Sequence, residues 1–243
     1  MQKQTWDDFG DILTALDATW PAAARQTIDP WIIRDGQGGG KRVSAATPNS
    51  DWTQADIQTA EAAMRDLGQT PLFMITDQDQ NLDHALANAG YDIIDPVNIY
   101  STSVDTLTTE RPPKVSMFSV WPPLAIETDM WAEGGISDAR VNVMKRVQGP
   151  KTSILARWND HPAGVGFAAV HGKDAFVHAV EIRNHQRQQG VASWLMKQAA
   201  FWAAEQGASR LNVACTKANV AANALYRSIG MKVVGEYHYR MKG

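Results

Sequence analysis

Between residues 151 and 206 the hydrophobic period changes once, and this change constrains the fold more than any other feature. Residues 151–158 (KTSILARW), 164–170 and 175–182 are three strand-like runs. Only the turn residues Asn159-Asp160-His161-Pro162 and His171-Gly172-Lys173-Asp174 separate them. Connections this short join antiparallel neighbours, so the last two runs read as a β-hairpin. From about residue 189 to 206 the apolar residues Val191, Trp194, Leu195, Ala199 and Trp202 recur at helical spacing, and Gly207 stands at the expected C-cap. A strand at 210–215 (RLNVAC), a helix over 219–229 closed by Gly230, and one or two strands over 231–241 follow. Upstream, 115–121 reads as a strand and 124–147 as helical. The order predicts an α/β (α+β) chain with a mixed sheet flanked by helices.

The first half repeats part of this order. Residues 32–34 and 42–46 read as strands around a glycine-rich turn, and 53–67 as a helix with Ile57, Ala60, Met64 and Leu67 on one face, closed by Gly68. A strand at 72–76, a helix at 82–89 closed by Gly90, and an extended run at 92–100 follow. Setting Gly90 on Gly230 aligns strand and helix without a gap, Leu72 on Asn212 and Leu86 on Tyr226; setting Gly68 on Gly207 aligns the longer helices. The halves read as two copies of one unit. Residues 101–114 are polar and end in Pro112-Pro113, which suits a linker better than an element. This places a boundary near residue 110, with domains at 1–110 and 111–243.

Composition narrows the partners. The 243 residues are 44% hydrophobic and 20% charged, which excludes a disordered chain. A net charge of −3 offers no field for a polyphosphate backbone, so nucleic acid is not expected as a partner. The single cysteine, Cys215, excludes an intrachain disulfide framework, and no histidine spacing suits a metal. No apolar run reaches the roughly 18 residues of a membrane span, and the first residues carry no apolar leader, so a cytoplasmic protein without membrane contact is expected.

The chemistry centres on Ile182-Arg183-Asn184-His185-Gln186-Arg187-Gln188-Gln189-Gly190-Val191-Ala192. This segment leaves a strand, turns, and opens an amphipathic helix. The first amides of a helix lack intrahelical partners and sit at the positive end of its dipole, a ready anion site. Gly190 and Ala192 would let phosphate oxygens approach the backbone, and Arg187 adds charge. An ordinary strand-to-helix turn accounts for the segment about as well.

Arg187-Gln188-Gln189-Gly190-Val191-Ala192 resembles the acyl-CoA-binding motif of the GNAT superfamily of N-acetyltransferases: Gln or Arg, two free positions, Gly, one free position, Gly or Ala. Downstream, Asn219, Ala222, Leu225, Tyr226 and Gly230-Met231 resemble the family's Asn-x-x-Ala-x-x-Leu-Tyr-x-x-x-Gly-Phe, with Met231 replacing the usual aromatic. The resemblance covers about residues 115–243. It implies a splayed central sheet in tandem with a truncated second copy, acetyl-CoA as co-substrate, and an amine acceptor, small molecule or peptide. Backbone near Ile182 would pair with pantetheine, and the amides of Gln188, Gln189, Gly190, Val191 and Ala192 would hold pyrophosphate. Asn219 would stand near the thioester and Tyr226 near the sulfur, where a phenol can protonate a leaving thiolate. At the corresponding place in the first half stand Pro48-Asn49-Ser50-Asp51-Trp52-Thr53, without glycine, and Leu86 replaces Tyr226. That half therefore reads as a degenerate copy that covers the catalytic half and shapes its acceptor site.

His178 and Glu181 precede the motif as candidate bases. Strand alternation puts 178, 180 and 182 on one face and Glu181 on the other unless a bulge intervenes. His178 reads equally as a structural histidine, and Glu181 as a surface charge. Gly36-Gln37-Gly38-Gly39-Gly40-Lys41-Arg42 lacks the Ser or Thr of a phosphate loop and reads as a flexible hairpin tip. Trp131-Ala132-Glu133-Gly134-Gly135 lines an acceptor pocket or only packs. An acyl-CoA sensor without catalysis and an interaction scaffold stay open as alternatives, as does a homodimer.

Overall fold

A computed structural model describes residues 6–242. In chain order the elements are α1 (Trp6–Thr19), β1 (Ala24–Ile28), β2 (Trp31–Asp35), β3 (Thr47–Pro48), α2 (Asp56–Asp66), β4 (Leu72–Thr76), α3 (Gln80–Asn88), β5 (Asp92–Ser103) and α4 (Val104–Leu107). The second half holds β6 (Met117–Val120), α5 (Ala125–Glu133), α6 (Asp138–Arg146), β7 (Lys151–Trp158), β8 (His161–His171), β9 (Asp174–Ile182), α7 (Val191–Glu205), β10 (Arg210–Thr216), α8 (Val220–Ser228) and β11 (Lys232–Met241). β1–β3 form a small sheet, and the other eight strands form one mixed sheet in the order β4-β11-β5-β10-β9-β8-β7-β6. β9 and β10, joined across α7, are its parallel pair; the other neighbours are antiparallel.

The halves interleave in this sheet. β5 of the first half lies between β10 and β11 of the second, while β11 lies between β4 and β5. The registers obey one rule, the 140-residue offset that sets Gly90 on Gly230. Val213 pairs with Tyr100 as Phe73 pairs with Arg240, and Thr216 pairs with Val97 as Thr76 pairs with Tyr237. Within the β5–β11 pair, Lys232 opposite Ser101 is matched by Met241 opposite Asp92, and Val97 opposite Tyr237 maps onto itself. A local two-fold axis therefore passes through that last pair. The side-chain clamps follow the same rule. From α8, Asn223 Oδ1 accepts from Asn98 Nδ2 and Tyr100 Oη at 2.9 and 2.8 Å. From α3, Asp83 Oδ1 binds His238 Nε2 and accepts from Arg240 Nε at 2.8 and 2.7 Å.

Helices cover both faces. α7 and α4 bury Leu195, Met196, Ala199 and Leu107 with Val177, Ile182 and Val213. On the opposite face Met130, Trp131, Val141 and Met144 of α5 and α6 pack on Val165 and Phe167. Phe9, Ile12 and Leu16 of α1 pack on Val97, Ile99, Phe176 and Tyr239. Residues 42–46, expected as a strand, are a single 3₁₀ turn (Lys41–Val43) followed by a chain that only bridges Ala46 to Phe73. No helix among the described residues is long and apolar enough to cross a membrane.

Candidate functional site

β9 and β10 pair only where Asp174, Ala175 and Phe176 meet Arg210, Leu211 and Asn212. Beyond that they separate, and a cleft of about 1280 Å³ opens between them. β9 also bulges there. Phe167 and Val165 are two steps apart on β8, but their partners His178 and Glu181 are three apart, and Ala179 takes φ +52°. The bulge turns His178 and Glu181 to one face. The expectation that His178, Val180 and Ile182 share a face is therefore corrected: Val180 and Ile182 pack on the α7 side, while His178 stacks among Trp20, Phe167 and Phe176 on the other. Trp131 Nε1 donates to the Ala179 carbonyl at 2.9 Å and pins the bulge.

One end of the cleft is the turn into α7. Gln188 and Gly190 both take positive φ, +61° and +80°. Glycine suits the latter because an L side chain is strained there. The first α7 bond runs from Trp194 N–H to the Gly190 carbonyl. The N–H groups of residues 188–193 meet no protein acceptor among the described residues and cluster at the positive end of a 15-residue helix. Arg187 faces back instead: its Nε donates to the Ile182 carbonyl and its Nη2 to Glu181 Oε1, both at 2.9 Å. Gln189 Oε1 accepts from Asn159 Nδ2 at 2.8 Å, which ties the turn to the β7–β8 connection.

α8 forms the facing wall. Asn219 caps it, accepting from Ala222 N–H at 3.1 Å. Asn223 is spent inside, its Nδ2 donating to the Thr216 and Asn219 carbonyls. Tyr226 is buried, with its ring 5.5 Å from that of Tyr100. It lines the cleft, and its hydroxyl has no protein partner among the described residues. Burial, with Cys215 and Tyr100 nearby, holds the phenol well above its ordinary range. Burial pushes the Cys215 thiol up to about 11, which suits a packing residue rather than a nucleophile.

The first half closes the far end. The Gly36–Arg42 segment is not a loose tip: Gln69 accepts from Gly36 N–H at 2.8 Å and donates to the Arg34 carbonyl at 2.7 Å. A Cβ on Gly39 would stand 2.5 Å from Val143, so the turn sits tight on α6. It delivers Arg42 into the cleft, where Nη1 lies 3.3 Å from His178 Nδ1 and Nε lies 3.3 Å from Tyr237 Oη. His178 Nε2 is 3.0 Å from Thr19 Oγ1. A guanidinium only donates, so Nδ1 accepts, and the network assigns the proton to Nε2. Burial, then the Arg42 charge, hold His178 well below the usual imidazole range and neutral. Glu181 lines the same cleft, and a Cβ on Gly134 would stand 2.4 Å from its Cγ.

Residues 119–231 match the model of the Acetyltransferase (GNAT) family. Over this segment the chain is similar to GNAT acetyltransferase domains. The whole chain is 26% identical over 254 residues to "Uncharacterized N-acetyltransferase YobR" of Bacillus subtilis strain 168, covering 97% of this chain and 99% of that one. The GCN5-related N-acetyltransferase of Kribbella flavida has a similar fold, with a TM-score of 0.72 at 16% identity over 96% of this chain and 94% of the other. A tandem GNAT protein from the clavulanic acid biosynthesis pathway superposes with a TM-score of 0.62 at 12% identity, over 80% and 72%.

The cleft gathers the site residues singled out in the sequence except Gln189: Ile182, Arg187, Gln188, Gly190, Val191, Ala192, Asn219 and Tyr226 line it with His178 and Glu181, and Gln189 braces the turn beside it. Among the described residues, no three His, Cys, Asp or Glu side chains converge as metal ligands. Sequence reasoning missed Asn223, Arg42 and Arg140. Asn223 carried a signal, since it lies on the helix face of Asn219 and Tyr226, at spacings of four and three.

Proposed function

We propose that the protein transfers an acetyl group from acetyl-CoA to a primary amine by direct attack on the thioester. The observation that carries this reading is the row of unbonded amides at residues 188–193 at one end of a cleft whose facing wall presents the unpartnered Tyr226 hydroxyl. These fit the co-substrate: amides, Gly190 and the helix dipole suit pyrophosphate, and the open β9 edge suits an extended arm. Arg183 N–H donates to Ala163 on the β8 side, so alternation turns the N–H of Ile182 toward the splay, beside its carbonyl, which accepts from Arg187 Nε. When bound, acetyl-CoA supplies an activated acetyl thioester. Tyr226 holds a proton at Oη for the leaving thiolate, kept there at neutral pH by its burial. Glu181 receives the proton of the acceptor amine, its carboxylate oriented by Arg187. His178, with both ring nitrogens engaged, positions Arg42 rather than exchanging protons. The 1–110 and 111–243 regions are two copies of one unit grown into one sheet, the first having given up cofactor binding to build the acceptor end.

Tyr226→Phe tests the chemistry. Acetyl-CoA affinity stays within twofold, while amine-dependent thiol release falls by about 10²- to 10⁴-fold, the usual range for general acid catalysis. An unchanged rate across pH 6–9 would make Tyr226 a packing residue and remove the proposed acid.

A further inference from the structure

Arg42 and Arg140 face the cleft together, and neither has a carboxylate partner among the described residues. Arg42 meets only neutral groups, the tyrosine hydroxyls of 237 and 239 and His178 Nδ1. The Arg140 side chain has no hydrogen bond or ion pair among the described residues, and its Nε would stand 3.5 Å from a Cβ on Gly40. The nearby acids are taken: Asp95 by Lys41 at 2.7 Å and Glu181 by Arg187 at 2.9 Å. Three other guanidiniums are met by carboxylates, Arg183 by Glu133, Arg210 by Asp174 and Arg240 by Asp83. Two like charges in a partly dehydrated cleft repel unless an anion joins them, and guanidinium forks suit planar or tetrahedral oxyanions. Burial, then the Arg42 charge, hold Arg140 below its ordinary range, in keeping with that repulsion.

We propose that the acceptor amine carries an anionic group, a carboxylate or a phosphate, received by Arg42 and Arg140. This rests on the acyl-transfer reading above. Through His178, Arg42 lies on the β9 face that also carries Glu181, and those two β9 residues stand opposite β8 positions two strand steps, or about 7 Å, apart. A short linker thus separates the anion from the amine.

The test is calorimetric titration of CoA-loaded protein with matched pairs: β-alanine against β-alaninamide, 4-aminobutyrate against 4-aminobutyramide, and phosphoethanolamine against ethanolamine. At least one anionic amine binds about ten- to a hundredfold more tightly than its neutral counterpart, the range of charge-assisted hydrogen bonds. The carboxylate and phosphate arms identify the anion. Arg140→Gln abolishes most of that preference without changing CoA affinity more than twofold; Arg42→Gln adds a second variant if it folds. Equal binding of neutral amines, no binding by any anionic amine, or an unchanged preference in Arg140→Gln overturns the inference. A loss of CoA affinity in Arg140→Gln overturns it too, because the arginine would then serve the cofactor. Failure of CoA itself to bind contradicts the acyl-transfer reading instead; titration of the CoA-free protein still reads anion preference.

Discussion

Replacing Asn223 with alanine should cost far more than a helix-surface substitution, because this side chain joins the two halves. It accepts from Asn98 Nδ2 and Tyr100 Oη and donates to the Thr216 and Asn219 carbonyls. Asn98 is 5% exposed and Tyr100 fully buried, so the variant strands two donors away from water. Each orphaned buried polar group costs about 1–3 kcal/mol, giving roughly 2–6 kcal/mol in all. For a chain of this size about 2–4 °C is lost per kcal/mol, so the midpoint should fall by about 5–20 °C. The second arm is Tyr100→Phe. Alone it removes one hydrogen bond, about 1 kcal/mol. In the Asn223→Ala background it removes an orphan, so its cost should vanish or reverse. Urea unfolding of wild type, both single variants and the double variant closes the cycle, with a coupling of about 1–2 kcal/mol expected. Additive costs, within about 0.5 kcal/mol, would refute the clamp.

Two further outcomes follow from the same geometry. Asp83, the clamp's counterpart in the first half, is held below its usual range by the Arg240 hydrogen bond and by His238 against burial. Its stabilisation is therefore full above the unfolded carboxylate pKa of about 3.9 and is lost as pH falls through its lower folded value. Denaturation midpoints of wild type should drop more steeply below pH 4 than those of Asp83→Asn; parallel curves would dismiss Asp83 as a contributor. Gly134→Ala should displace Glu181, whose Cγ would lie 2.4 Å from the new methyl. Amine-dependent turnover should fall at least tenfold with acetyl-CoA affinity retained, and unchanged turnover would release Glu181 from its proposed role.

Much of the architecture was legible because it rests on local signals. The helical period of α7, the positive-φ glycines at 68, 90, 207 and 230, and the gapless alignment of 72–90 on 212–230 all announce themselves in sequence. The offset even anticipates the sheet registers. The exchange of β5 and β11 between halves was not legible, since pairing of distant strands leaves no mark in either strand's own pattern. Nor was the bulge, because Ala179 is not a residue that signals a left-handed backbone; without it His178 and Glu181 read as opposite-facing. α1 was missed because Gly10 and its acidic neighbours lower its helical propensity, and packing of Phe9, Ile12 and Leu16 on the sheet overrides that. Arg42 was misplaced for a related reason: glycines that signal freedom in a sequence can instead permit close packing, as Gly39 does against Val143.

Calorimetric titration of acetyl-CoA into wild type and Gly190→Val tests the central claim most directly. The account predicts one site per chain, because the first half carries no counterpart of the glycine turn. It also predicts at least a tenfold loss of affinity in the variant, since valine is strained at φ +80° and crowds the amide cluster. A thermal melt confirms that the variant is folded. Two equivalent sites, no binding by wild type, or equal affinity in a folded variant would contradict it.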